Sequence, residues 1–246
     1  MRNGSTWRSR FGTAAVAGAA AVAVLAPGAS AAAFAPSVRQ PLHAADSAQL
    51  PTQLTVASYQ AWLKNAHAPE AAKTLKAFTA LPNLKKYLFV QHLQKRSVYQ
   101  ALQTQLKGGP RGLHTVVPYN KFVSFAHDVK VVKTGGRKPT TNVTFTVTER
   151  IFNIPVTAET VWVTYQATKG KRLSVAGGDA RTVNTNAAIT VKARNISKGQ
   201  TGATAHTVAQ WHATPRVASF GKAVDQQQSI DASASGYWNA RLDSSS

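Results

Sequence analysis

The clearest pattern in the chain is the alternation over Val143 to Ala167, VTFTVTERIFNIPVTAETVWVTYQA. Val143, Phe145, Val147 and Ile151 alternate with Thr144, Thr146, Thr148 and Arg150, the period of two of a strand with one buried face. Val161, Val163, Tyr165 and Ala167 repeat it, with Asn153 and Pro155 turning the chain between the runs. Pairing symmetric about Ile154 sets Val143 against Tyr165, Phe145 against Val163 and Val147 against Val161. A slip of one residue would turn all six to solvent, so the parity is strongly specified. The same register sets Glu149 opposite Glu159, in phase with the apolar residues.

Ahead of this hairpin the pattern is helical. Ser58 opens a short helix through Asn65, Pro69 starts a second reaching about Ala80, and Pro82-Asn83 introduces a longer stretch ending at Gly108-Gly109-Pro110. As one unbroken helix, that stretch would set Gln91 and Lys95 amid the apolar face of Leu84, Leu88, Val98, Leu102 and Leu106. The phase therefore predicts a break near Lys95 to Ser97. Residues 119–133 begin the β part, with Val123, Phe125, His127, Val129 and Val131 in one phase. The loop Thr134 to Thr141 follows. Beyond the central hairpin, Gly177-Gly178 punctuates the chain, and strands are expected at Ile189 to Ala193, Ala203 to Ala213, Ala218 to Val224, Ser229 to Ala234 and Tyr237 to Leu242. The order implies an α+β fold, with short N-terminal helices (55–110) packed on a C-terminal antiparallel sheet of about six to eight strands (111–246).

Residues 1–33 read as a signal peptide. Arg2, Arg8 and Arg10 form a basic start, Ala14 to Ala26 an apolar run, and Ala29-Ser30-Ala31 a small-x-small cleavage site, with cleavage near Ala31 to Ala33. The run is too short to span a bilayer, so the sequence implies a secreted protein without a transmembrane segment. Residues 34–54, rich in Ala, Pro, Ser and Gln, read as a flexible lead-in. The remaining chain suffices for one domain, burying roughly 70% of its unfolded surface.

Composition narrows the chemistry. The chain has no cysteine, which excludes disulfide staples, thiolate metal sites and cysteine nucleophiles. Its net charge is +20, or +17 without the three leader arginines. Such a balance attracts polyanions such as anionic wall polymer or extracellular nucleic acid, and it also keeps a secreted protein dispersed. Between Glu70 and Asp128 the chain carries Lys73, Lys76, Lys85, Lys86, Lys95, Arg96, Lys107, Arg111 and Lys121 and no acid, which makes these nine the candidate polyanion-binding surface.

Candidates for catalysis are few. Two carboxylates as close as Glu149 and Glu159 can split acid and base roles, as glycoside hydrolysis requires. The plainer reading is a pair at a fraying strand end that leans into water or onto Arg150 or Lys171. No HExxH, GxSxG, Walker or SxxK motif is present, no histidine pair has metal-ligand spacing, and no cofactor or metal is implied. Trp162, Trp211, Tyr237 and Trp238 admit a stacking platform, but core packing accounts for them more simply, with Trp162 beneath the helices. Gln226, Gln227 and Gln228 allow an exported partner, inhibitor or cross-linking substrate of another enzyme.

The order of a helical region containing LKAFTAL and FVQHLQ, a long hairpin and a cysteine-free basic β region resembles uncharacterised secreted proteins of Streptomyces-type actinomycetes. The resemblance implies export and an actinomycete-like source, and carries no activity. The functional expectation is a non-catalytic secreted protein that associates with anionic cell-envelope or extracellular polymer through a basic surface; the alternative is a hydrolase using Glu149 and Glu159.

Overall fold

The computed structural model describes residues 50–104, 113–136, 139–167, 173–236 and 238–244. The leader and most of the lead-in lie outside the described residues. Among these described residues four helices, α1 (Val56–Asn65), α2 (Pro69–Thr79), α3 (Asn83–Leu93) and α4 (Arg96–Thr104), precede nine strands. Strands β1 (His114–Pro118), β2 (Val123–Thr134), β3 (Thr140–Ile151), β4 (Ile154–Ala167) and β5 (Leu173–Asn184) form one antiparallel sheet in chain order. Strands β6 (Ile189–Thr201), β7 (Thr204–Pro215), β8 (Val224–Ser233) and β9 (Trp238–Ser244) form a second. The class is α+β, as the order of patterns implies. The strands differ in arrangement from the expectation: nine in two sheets, where one sheet of six to eight was expected.

Local chemistry accounts for the helix ends. Thr55 caps α1: its hydroxyl accepts from Ser58 N at 3.1 Å, and Ser58 Oγ accepts from Thr55 N at 2.9 Å. Ser58 is thus the reciprocal partner in a capping box and not the cap itself. Pro69 occupies the first position of α2, where its missing N–H costs nothing. The chain breaks between α3 and α4, where the apolar phase required it. The buried Gln94 carboxamide at the break bonds Leu54 N and Leu54 O, anchoring the chain entering α1.

The β3–β4 hairpin keeps the expected parity but not the expected partners. A two-residue turn at Phe152 and Asn153, both left-handed (φ 49° and 63°), joins Ile151 directly to Ile154. Val143 therefore meets Val163, Phe145 meets Val161, and Val147 meets Glu159. The expected opposition of Glu149 and Glu159 does not occur. Glu149 pairs with Thr157, one diagonal step from Glu159 on the same face, because the two-residue turn and a register shift between Glu149 and Arg150 together move the pairing by two from the symmetric one.

Two further differences have clear causes. Gly177-Gly178 does not end a strand; β5 runs through both. A Cβ on Gly178 would lie 2.2 Å from Thr207 Oγ1 and 3.1 Å from Trp162 O, so the missing side chain lets the sheets approach closely. The stretch expected as a strand at Ala218 to Val224 contains a short 3-10 turn, Ala218–Phe220, before β8 starts.

Both sheets and the helices share one core. Tyr59 (α1), Phe78 (α2) and Phe89 (α3) pack ring against ring, with centroids 5.0 Å (Tyr59–Phe78) and 5.1 Å (Phe78–Phe89) apart. They meet Phe125, Phe145 and Trp211 in a continuous buried cluster, each side chain contributing about 1.5–3 kcal/mol by leaving water. Trp211 is part of the buried core, and the partly buried Trp238 packs against that core cluster. Trp162 does not lie beneath the helices. It pairs with Thr144 and Asp179 on the opposite face, half-buried, while α4 reaches the face that carries Glu159. No helix among the described residues is long and apolar enough to cross a membrane.

Candidate functional site

Glu149 and Glu159 are each only 1% exposed. They do not lean into water or onto Arg150, and Lys171 lies outside the described residues. The Tyr99 hydroxyl from α4 donates to Glu159 Oε1 at 2.5 Å. From β8, the Gln228 amide donates to the carbonyls of Phe145 (3.2 Å) and Glu159 (3.3 Å), and its oxygen accepts from Trp211 Nε1 at 2.9 Å. Gln226 donates to Tyr99 O at 3.1 Å. The other carboxyl oxygens, Glu149 Oε2 and Glu159 Oε2, are buried without a hydrogen-bond partner.

Loss of water dominates the electrostatics. Burial, then the neighbouring Glu159, pushes Glu149 up to about 8, against a smaller lowering by the Thr157 side chain. Burial pushes Glu159 up to about 7, with the Tyr99 hydrogen bond acting the other way. Burial and then the adjacent Glu159 raise Tyr99 well above its ordinary value. His127 stands in the same row of the sheet, opposite Val147, with both ring nitrogens unpartnered, and burial lowers it to about 4. Neither Glu149 nor Glu159 lines the two grooves at the tip of the β3–β4 hairpin. Burial favours the neutral form of both carboxyls and withdraws them from solvent between the sheets.

The glutamine run is likewise interior. Gln226 and Gln228 are fully buried, and only the half-buried Gln227 alternates outward, so a cross-linking enzyme cannot reach the first two. No group of His, Asp and Glu among the described residues can hold a metal ion.

Of the nine basic candidates, Lys107 and Arg111 lie outside the described residues. The other seven do not form one patch. Arg96 is tied to the chain before β8, donating to Lys222 O at 3.2 Å and Ala223 O at 3.4 Å. Lys76, Lys86 and Lys95 reach solvent, Lys86 only partly. Lys73, Lys85 and Lys121 gather around the tip of the β3–β4 hairpin. Lys85 Nζ lies 5.8 Å from the centre of the Phe152 ring and Lys121 Nζ 4.7 Å from that of Phe122. The two rings are 5.0 Å apart, and these residues line a groove of about 290 Å³ with Asn120, Ser124 and Asn153. A second groove, about 310 Å³, runs between α2 and β4 along Thr74, Ala77, Ile154, Val156 and Val183, with Glu70 and Lys73 in its wall. Asn153 lines both.

Sequence reading missed Phe122, Phe152 and Asn120. One signal was available: a bulky Phe at a turn position that demands positive φ, where Asn or Gly is usual. No protein-family model matches the chain, and neither a curated protein nor a solved structure matches it.

Proposed function

We propose that the protein is exported and binds anionic cell-envelope or extracellular polymer without catalysing a reaction. The observation that carries this reading is the imbalance of surface charge. The chain has 29 Lys and Arg, three of them in the leader, against 9 Asp and Glu, and the fold withdraws Glu149 and Glu159 from the surface into the interior, where burial favours their neutral form. Two more acids are taken up by histidines, Asp128 by His114 at 2.5 Å and Asp225 by His212 at 2.6 Å. The cationic side chains therefore face solvent with little local compensation, which favours an extended anionic partner. The basic leader followed by an apolar run supports export, and the resemblance to secreted actinomycete proteins points the same way.

Retention on purified cell wall, measured from low to high salt, tests this. Binding should weaken steeply as salt rises, because ionic contacts are screened within about 10 Å at 0.1 M. Retention indifferent to salt, or none at low salt, sinks the reading.

A further inference from the structure

The two grooves at the hairpin tip differ in chemistry. The groove along α2 and β4 is walled by Ala77, Ile154, Val156 and Val183 and open to solvent, an arrangement typical of sites for apolar ligands. Val183 is 37% exposed at its edge. Its two charged wall residues, Glu70 and Lys73, stand three apart on one helix and offset each other, so it presents no net charge to a headgroup. The neighbouring groove has no carboxylate in its wall. Lys85 and Lys121 form no ion pair among the described residues, and α3 carries no acid in its first turn.

The basic groove is lined by a strained residue next to Asn153, which both grooves share. Phe152 holds φ 49°, an unfavourable conformation for a bulky side chain. Such strain persists where the surroundings over-determine it, commonly at binding sites. Here Phe152 N donates to Phe122 O at 2.7 Å, and its ring packs at a tilt of 46° against Phe122, with Lys85 over Phe152 and Lys121 over Phe122. The groove thus presents two ammonium groups to an anionic ligand.

We propose that the hairpin tip binds a single-chain anionic amphiphile, its alkyl chain in the groove along Ala77, Ile154 and Val183 and its phosphate headgroup on Lys85 and Lys121 across Asn153. This goes beyond the polymer reading, which needs charge alone. It shares two lysines with that reading but not the apolar groove.

Isothermal titration calorimetry on the intact protein, with octyl phosphate below its micelle concentration, tests it. Inorganic phosphate and octyl glucoside are the companion probes. Octyl phosphate should bind at least about tenfold tighter than either, and affinity should climb from hexyl to decyl phosphate by up to about fourfold per methylene. Lys85→Gln/Lys121→Gln, which keeps much of the stems on the rings, should weaken octyl phosphate about tenfold. Val183→Phe should weaken octyl phosphate while leaving inorganic phosphate unchanged. All three positions are exposed, and an unchanged urea midpoint would show that each variant folds. Equal affinity for octyl and inorganic phosphate overturns the amphiphile site while leaving salt-dependent retention on cell wall intact. Octyl glucoside matching octyl phosphate, or no effect of Val183→Phe, also overturns it.

Discussion

The Tyr99 hydroxyl donates to Glu159 Oε1 at 2.5 Å, joining α4 to the first sheet in the interior. The second sheet meets the same two residues through Gln226 and Gln228, so this bond lies where all three layers converge. A protonation change there bears on the whole fold.

The first consequence is an unusual dependence of stability on pH. Glu149 and Glu159 have folded pKa values near 8 and 7, above the ordinary 4.5, so the folded chain binds protons that the unfolded chain releases. Their contribution is fully present below about pH 4.5 and is lost as pH rises toward 7 to 8, by about 1.4 kcal/mol per pH unit for each carboxyl. His127, lowered from 6.5 to about 4, acts oppositely, its contribution disappearing as pH falls through that range. From these three groups stability peaks at about pH 4, since above it the two carboxyls together lose more than His127 gains. Urea midpoints between pH 4.5 and 8.5 should fall on the alkaline side, and Glu149→Gln/Glu159→Gln should flatten that limb. A midpoint that climbs from pH 5 to 8 contradicts the assignment.

Tyr99→Phe removes the hydroxyl that favours the ionised form of Glu159. The variant should lose about 1–3 kcal/mol, the range for stranding a buried polar group, and Glu159 should titrate higher still. Urea denaturation gives the first quantity and carboxyl-carbon NMR the second; an unchanged titration would show that the bond does not tune the carboxyl.

Gly178→Ala introduces a Cβ 2.2 Å from Thr207 Oγ1 and 3.2 Å from Lys198 Cβ. Overpacking of this kind costs about 1–3 kcal/mol. Thr207→Ala in the same chain should recover part of the loss, a coupling that a double-mutant cycle measures. Full additivity would mean that the sheets do not meet at this point.

Arg96 separates structural from binding roles within the basic segment. Arg96→Ala should cost about 1 kcal/mol through its two carbonyl partners, with retention on cell wall within twofold of the parent protein. A large loss of retention at unchanged stability would reverse that division.

The helices were legible because their signals are local. Pro69 at the start of α2 and the apolar phase that forbids α3 and α4 from joining both act within a few residues. The hairpin's parity was legible too, since Val143, Phe145 and Val147 must all face one way. Their partners were not, because the offset depends on the left-handed pair Phe152-Asn153 together with the register shift between Glu149 and Arg150, and parity is blind to the resulting shift of two. The five-stranded sheet's outermost strands, β1 and β5, escaped notice: Val116 and Val183 are exposed edge residues, and Gly177-Gly178 reads as punctuation unless Thr207 is known to press against it.

By itself, the amino-acid sequence determined the α+β order, the faces of the central strands and the cationic balance, because period, capping and composition need no distant partner. Only the tertiary structure decided that Glu149 and Glu159 are interior, that Gln226 and Gln228 serve the core, and that Lys85 lies over Phe152 and Lys121 over the adjoining Phe122. Each of these is set by side chains far away in sequence, whose packing determines where water is excluded and hence which polar groups stay charged.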